Sequence, residues 1–383
     1  MISPARLAWL QLRHQKVRLA VAIAGVAFAV ILMSMQLGFM DALFSSAVNL
    51  HGRLRGDIVL IDPRYNVVVL PTRFPMRRLQ QTRAFAEVES IAPVHVGIAR
   101  WKNPADATVH EMFVMGVDPA RPPFAEPGFV PLDRIRYPDV AVFDEQSRPE
   151  FGPVPAVLHA GEQVVTEVNG REIEVGGLFR FGTSFGIDAT LVTSDLNYRR
   201  IFPNYPAGAA SIGLVTLRPG ADPMAVRDAI DAALDADVRV LTMQQYIDAE
   251  LDYWATKTPI GFVFTFGVIM GVVVGMIIVY QILFTDVTDH LPEYATLKAM
   301  GRPNRFLSRV VIAEATLLAC LGFVPGLLVS WWLYGITQSA TQLPMILYPG
   351  RAATVLLLSM IMCWGSGLIA MRKLRTADPA DVF

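Results

Sequence analysis

Apolar residues along this chain do not alternate evenly with polar ones; they gather into four blocks. These cover residues 19–40, 259–284, 307–336 and 351–371, and the first two contain no charged residue. A bilayer core about 30 Å thick needs roughly 20 helical residues, so each block predicts a transmembrane helix. The stretch between the first two blocks, 41–257, has the mixed pattern of a water-exposed domain. The expected architecture is a membrane protein: four transmembrane α-helices with a large α+β domain inserted between the first and second.

Within the insertion, β-branched runs predict strands at Asp57–Ile61, Asn66–Leu70, Thr108–Gly116, Gln163–Val168, Arg171–Val175 and Ala189–Thr193. Asn169-Gly170 supplies the positive φ angles of a two-residue hairpin turn. Ser211–Leu217 reads as a strand, followed by a helix marked by Met224, Ile230 and Leu234, then a strand at Val238–Leu241. Asp222 is the expected N-cap of that helix and Pro223 its first residue. The result is a β-α-β unit. Leu43–Leu54 and Thr242–Trp254 read as helices continuing the flanking spans, a stalk for the domain. The proline-dense stretch Pro119–Pro155 reads as extended loops.

Charge adds orientation. Arg6, Arg13, Lys16 and Arg18 precede the first span. Lys298, Arg302 and Arg305 fill the 285–306 loop, with Arg309 at its edge, and Arg372, Lys373 and Arg375 open the 372–383 tail. The short loop 337–350 has no Lys or Arg, although Arg351 flanks it. Basic residues mark the cytoplasmic side. Both termini are therefore expected inside a bacterial inner membrane, and the inserted domain and the 337–350 loop in the periplasm. Tyr253, Trp254, Trp331, Trp332, Tyr334 and Tyr348 gather at the expected outer interface. A cleaved signal peptide ending near Ser45, Ser46 and Ala47 is the alternative for the first block, but its apolar core is too long for one. Residues 1–18 suit either an amphipathic helix along the inner surface, with Leu7, Leu10 and Val17 on one face, or a plain basic flank.

Composition then excludes several functions. Of 383 residues, 53% are hydrophobic and 17% charged, against roughly 25% charged in soluble domains, and the net charge of −1 offers no basic surface for nucleic acid. Cys320 and Cys363 both fall in apolar blocks, so the insertion cannot form disulfides. His51, His95, His110 and His159 lack metal-ligand spacing. Thr183-Ser184-Phe185-Gly186 lacks the Gly-x-Ser-x-Gly of a nucleophile elbow. There is no Gly-x-x-x-x-Gly-Lys-Ser/Thr phosphate cradle, so no catalytic residue, metal or cofactor is expected in this chain. Any ATP and Mg would be held by a partner.

The most informative stretch is the loop after the second span. Asp289 is the expected cap of a short helix with Pro292 in its first turn. Glu293 stands near its N-terminus and Lys298 near its C-terminus, both favourable to the macrodipole. Tyr294, Leu297 and Met300 face one way; Gly301 ends the helix, and Arg302-Pro303 prevents its continuation. Such an exposed helix either docks in a groove of a partner or packs against the membrane. Leu291, Pro292, Glu293, Tyr294, Leu297, Lys298, Met300 and Gly301 are the candidate coupling residues. Glu314 is the one acidic residue expected inside a span, a functional group by default, or a structural one pairing with Lys298, Arg305 or Arg309. Pro325 is expected to kink the third span. Gly267, Gly271 and Gly275 align on one face of the second span, as do Gly322 and Gly326 in the third, for close helix packing. Ala20-x-x-x-Ala24 is the expected mate of the first stripe.

Glu-Tyr-Ala-Thr-Leu-Lys-Ala-Met-Gly at 293–301, with Glu314 and Gly322-x-x-x-Gly326, resembles the signature of FtsX/MacB-type ABC transporter permeases. The segments at 12–19 and 378–383 are similar to the DevC-type branch, with Asp381 where a glutamate is also common. The resemblance implies that 291–301 is the coupling helix contacting a separate DevA- or MacB-like ABC ATPase. It further implies a second permease copy, a DevB- or HlyD-like membrane-fusion adaptor and a TolC-like outer-membrane channel. The function implied is an export permease driven by ATP hydrolysis in trans. An FtsX-like mechanotransmitter regulating a periplasmic hydrolase, a lipoprotein-extraction permease and a membrane-anchored sensor are the competing readings.

Overall fold

The computed structural model describes residues 4–14, 16–126, 128–290, 292, 296, 300 and 303–376. It divides into two units, Met1–Ala42 with Pro259–Phe383, and Leu43–Thr258.

The first unit is helical. Its main elements are α1 (Pro4–His14), α2 (Lys16–Ala47), α9 (Pro259–Asp289), α10 (Asn304–Thr341) and α11 (Pro349–Thr376). Four of these are long and apolar enough to cross a membrane. They exceed the blocks read from hydropathy because flanking polar residues join the helices. α10 runs unbroken through Pro325. The glycine stripes set the packing. A Cβ on Gly267 would meet Gln36 Cδ at 2.5 Å, one on Gly271 would meet Met33 Cγ at 3.1 Å, and one on Gly275 would meet both Met362 of α11 and, at 2.6 Å, Ala29 Cβ. The mate of this stripe is therefore the Ala29–Gln36 face of α2, not Ala20-x-x-x-Ala24. On α10, Gly322 abuts Val26 and Gly326 abuts Val30. So α2 lies against both stripes, and Ala22, Val26, Ala29, Val30 and Met33 are buried with Val279, Leu283, Leu318 and Met362.

The second unit is α+β. Its strands are β1 (Ile58–Ile61), β2 (Phe74–Pro75), β3 (Val88–Lys102), β4 (Val109–Val117), β5 (Val140–Asp144), β6 (Val165–Val168), β7 (Arg171–Phe179), β8 (Thr190–Ser194), β9 (Ala209–Ala210), β10 (Ile212–Leu217) and β11 (Arg239–Thr242). Nine of them form one sheet in the order β11-β1-β10-β3-β4-β8-β5-β7-β6. Its helices are α3 (Asn49–Arg53), α4 (Met76–Gln81), α5 (Val154–His159), α6 (Asp195–Ile201), α7 (Pro223–Ala233) and α8 (Met243–Asp252).

The β10-α7-β11 crossover has β1 between its strands, antiparallel to both. Asp222 caps α7 by accepting from Met224 N–H at 3.0 Å. Val226 and Ile230 of α7 are buried with Ile58, Leu60 and Val215 on one face of the sheet. Tyr246 of α8 is buried with Val59, Val94 and Leu214 on the other. Asn169 and Gly170, with φ of 52° and 75°, make the β6–β7 turn. Two expectations fail. Asn66–Leu70 is not a strand, and Pro119–Pro155 contains the fully buried β5 rather than loops alone.

Candidate functional site

The candidate coupling segment follows α9 without delay. His290 N–H donates to Asp286 O at 3.1 Å, extending the helical pattern one residue beyond Asp289. Pro292 and Thr296 are helical; Thr296 Oγ1 donates to Pro292 O at 2.9 Å, and Met300 N–H donates to Thr296 O at 3.0 Å. The Met300 bond is the backbone i→i+4 bond of an α-helical turn, and the Thr296 hydroxyl spans the same four-residue interval. Met300 is 69% exposed, a large apolar side chain facing outward. Leu291, Glu293, Tyr294, Leu297, Lys298 and Gly301 lie outside the described residues.

At the point where α9 ends lies a polar cluster built from the adjoining ends of α2, α9 and α10. Arg18 Nη1 donates to Asp289 Oδ2 at 2.9 Å and stands 3.7 Å from Asp286 Oδ1. His290 Nδ1 is 3.7 Å from the same Asp286 oxygen. Asp286 is buried, and so is Glu314 of α10, whose carboxyl faces it. No other described residue gives either Glu314 oxygen a hydrogen-bond partner, so that contact is between the two facing carboxyls themselves. The expected pairing of Glu314 with Arg305 or Arg309 does not form, and Lys298 lies outside the described residues. The hydropathy pattern placed Asp286 in a loop; it is instead a second buried acid, because α9 runs on to Asp289. Val287, Val311 and Met371 close an apolar cluster beside it.

A second clamp sits at the far end of α2. Arg351 donates from Nε to Asp41 Oδ2 at 3.0 Å and from Nη1 to Ile346 O at 2.8 Å. Tyr334 OH donates to the carbonyl of Ser34. At about 1.5 Å per residue, Arg18 and Asp41 are about 35 Å apart along α2, close to the thickness of a bilayer's hydrocarbon core. Sequence reasoning missed this clamp; the signal was a lone arginine at the start of an apolar block. Gly267, Gly271, Gly275, Gly322 and Gly326 lie between the clamps and bring α2 close to α9 and α10.

The inserted domain has its own buried polar centre. Glu250 of α8 accepts from Tyr65 OH at 2.6 Å and Val68 N–H at 3.1 Å through Oε2, and from Trp254 Nε1 at 3.1 Å through Oε1. Burial, reinforced by Tyr246 and Glu250 alongside, pushes the Tyr65 hydroxyl well above its usual range. His51 Nε2 is 3.5 Å from Glu250 Oε2. His95 is fully buried, with Nδ1 3.1 Å from Tyr205 OH, and burial pushes its pKa down to about 4. His110 and His159 stand elsewhere. Ser184 is buried in a tight bridge to Ile187. Among the described residues no group of three or more His, Cys, Asp or Glu is placed to hold a metal.

A family model for the MacB-like periplasmic core domain matches residues 19–233, more than half of the chain, and a model for the FtsX-like permease C-terminal region matches 265–379. The second match takes in α10 and α11, most of α9, and the whole 291–301 segment. No curated protein matches the chain. Among solved structures, the periplasmic region of MacB from Actinobacillus actinomycetemcomitans is similar at 9% identity and a TM-score of 0.37, covering 52% of this chain and 94% of that one. The extracellular domain of the noncanonic ABC-type transporter YknZ from Gram-positive bacteria is similar at 9% identity and a TM-score of 0.33, covering 49% and 98%. A domain of a permease protein from Porphyromonas gingivalis is similar at 15% identity and a TM-score of 0.31, covering 50% and 90%.

Proposed function

The chain belongs to the family of FtsX-like and MacB-like permeases, and from that premise we propose that it is the membrane subunit of an ABC-type exporter whose ATPase is a separate polypeptide. The observation that carries this reading is the 265–379 match, which takes in the exposed turn at Pro292–Met300 and the acids Asp286 and Asp289 that pair with Arg18. Nucleotide binding by a pair of ATPase subunits pushes on 291–301. α9 receives that push directly, and the ion pair to Arg18 passes it to α2. The force then travels along the two chain crossings near residues 42 and 258 and changes the shape of the inserted domain.

In this reading both termini are cytoplasmic, the membrane is the bacterial inner membrane and the inserted domain is periplasmic. The domain hands substrate to a DevB- or HlyD-like adaptor and a TolC-like channel, and a second permease copy completes a two-fold complex. The DevC-type branch is the one whose terminal segments this chain resembles. The apolar interior, with Asp286 and Glu314 confined to one end, supports force transmission over a water-filled path through the four spans.

The test is cysteine crosslinking at Thr296 in a background lacking Cys320 and Cys363, with the cognate ATPase co-expressed. A crosslink to the ATPase is expected, and Glu293→Lys or Leu297→Asp should separate ATP hydrolysis from export while leaving membrane insertion intact. Labelling of Thr296 from outside intact cells would overturn the orientation. Normal export by both variants would overturn the coupling role. Unchanged export in a deletion strain, with loss of a periplasmic hydrolase activity, would replace transport by mechanotransmission.

A further inference from the structure

The sheet of the inserted domain contains a break that the permease reading does not use. β3 pairs with β10 as far as Val94 and is bridged to β6 at Trp101, so along 95–100 no strand lies on that side. Parity decides which backbone groups face the break. Phe113 N–H donates to Ala189 O at 3.0 Å, on the β8 side of β4. Its cross-strand partner, Ile98, therefore aims its own N–H and C=O away from β4 and into the break. The flanking positions are satisfied from within the chain. Val96 N–H donates to Ser211 Oγ at 3.1 Å. Arg100 N–H donates to Asn169 Oδ1 at 2.8 Å, and Arg100 O accepts from Asn169 N–H at 2.9 Å. The Ile98 N–H and C=O have no partner among the described residues.

A cavity of about 430 Å³ lies along this edge, lined by Val96, Gly97, Tyr198, Phe202 and Tyr205 among others. Gly97 lets the rings settle against the strand, since a Cβ there would stand 2.7 Å from the Tyr198 hydroxyl and 2.9 Å from Phe202 Cζ. Arg73 also lines the cavity, its guanidinium 5.4 Å from the centre of the Tyr205 ring. A second hollow, also about 430 Å³, shares Asn169 and is lined by Arg100, Lys102 and Glu167. Lys102 and Glu167 neutralise each other at 3.0 Å. Arg73 and Arg100 form no ion pair with any described residue, so the groove that the two hollows make on either side of Asn169 is positively charged.

We propose that this groove captures an extended acidic peptide segment of a partner protein by strand addition. The peptide backbone exchanges hydrogen bonds with Ile98, one apolar side chain enters the aromatic cavity, and carboxylates meet Arg73 and Arg100. Strand addition draws affinity from the main chain and specificity from alternate side chains. A backbone edge left unpaired at Ile98 among the described residues, between satisfied neighbours, suits a short pairing rather than a long one. The reading does not rest on ATPase coupling, because binding is measured without nucleotide or ATPase.

The experiment titrates the full chain in lipid nanodiscs into fluorescein-labelled Asp-Glu-Phe-Glu-Asp and follows anisotropy. Three results are expected: binding that weakens with salt; a loss of at least tenfold when the phenylalanine amide is N-methylated; and a similar loss in Arg73→Glu/Arg100→Glu. Both arginines are exposed, so an unchanged melting temperature confirms that the variant is folded. Absence of binding would overturn the proposal. Equal binding of the N-methylated peptide, or of its lysine counterpart, would also overturn it. Displacement by dodecanoate at the peptide's own affinity would do the same, reassigning the cavity to amphiphiles.

Discussion

Arg18, at the start of the first span, donates through Nη1 to Asp289 Oδ2 at 2.9 Å, at the end of the second. The same guanidinium stands 3.7 Å from the buried Asp286. Two residues remote in sequence thus fix the point where α9 gives way to the 291–301 segment. The two acids do not depend on Arg18 equally. Asp289 is half exposed and solvated; Asp286 is buried and relies on Arg18 and His290.

That asymmetry predicts an order of effects. Asp289→Asn should cost little, about 0.2–1 kcal/mol, as exposed ion pairs do. Arg18→Gln should cost more, roughly 2–4 kcal/mol, because it leaves a buried carboxyl with less compensation. Thermal unfolding in detergent or nanodiscs measures both. Equal melting temperatures for the two variants would contradict the asymmetry.

Glycine positions give a second test. Gly326 sits so close to α2 that a Cβ would stand 2.8 Å from Val30 Cβ and 2.9 Å from the Ala27 carbonyl oxygen. Gly326→Val should separate α2 from α10 and cost at least about 1–3 kcal/mol, seen as a lower melting temperature or loss of a monodisperse peak. A Cβ on Gly335 of the same helix meets nothing within 4 Å. Gly335→Ala should therefore leave the melting temperature unchanged or raise it, since alanine is the better helix former by up to about 1 kcal/mol.

Legibility followed the range of the interaction. The Asn169-Gly170 turn and the Asp222 cap are decided within four residues, and both stand where the sequence puts them. The spans were legible because hydropathy is summed over a whole window. Asn66–Leu70 misled because its β-branched pattern is local while its backbone partner is distant: Val68 N–H goes to Glu250, 182 positions away. β3 was not among the expected strands: Pro93 and Gly97 interrupt its β-branched pattern, yet Pro93 is paired with Gly213 and Gly97 receives aromatic rings. The glycine stripe of α9 named a face correctly but not its mate, because small residues allow contact with any helix that fits.

Glu250 offers a third prediction, in the inserted domain. Its carboxylate satisfies Tyr65 OH, Val68 N–H and Trp254 Nε1 together. Glu250→Ala leaves all three without that acceptor and opens a void, so a loss of about 2–5 kcal/mol is expected. Glu250→Gln keeps one acceptor oxygen and the volume and should cost less. Trp254 fluorescence should shift in both variants, since its indole loses or changes its partner. Identical stability for alanine and glutamine would mean that the hydrogen bonds contribute nothing beyond packing.

His95 supplies a pH dependence whose sign follows from its burial. The folded imidazole is held neutral, its pKa lowered from 6.5 to about 4. The unfolded chain therefore takes up a proton first as pH falls. Stability from this residue is complete above about pH 6.5 and is lost progressively toward pH 4. The gap corresponds to roughly 3 kcal/mol at 1.36 kcal/mol per tenfold change in proton affinity. His95→Gln keeps a polar group of similar size beside Tyr205 and cannot titrate, so it should flatten the melting-temperature profile between pH 6.5 and 4. The comparison is made against the unaltered protein because Asp139, Glu145 and Asp237, whose pKa values are lowered by Arg171, Arg180 and Arg78, lose stability in the acid range as well. Those losses are common to both proteins and cancel in the difference. A variant profile parallel to the unaltered one would show that His95 does not carry the acid sensitivity.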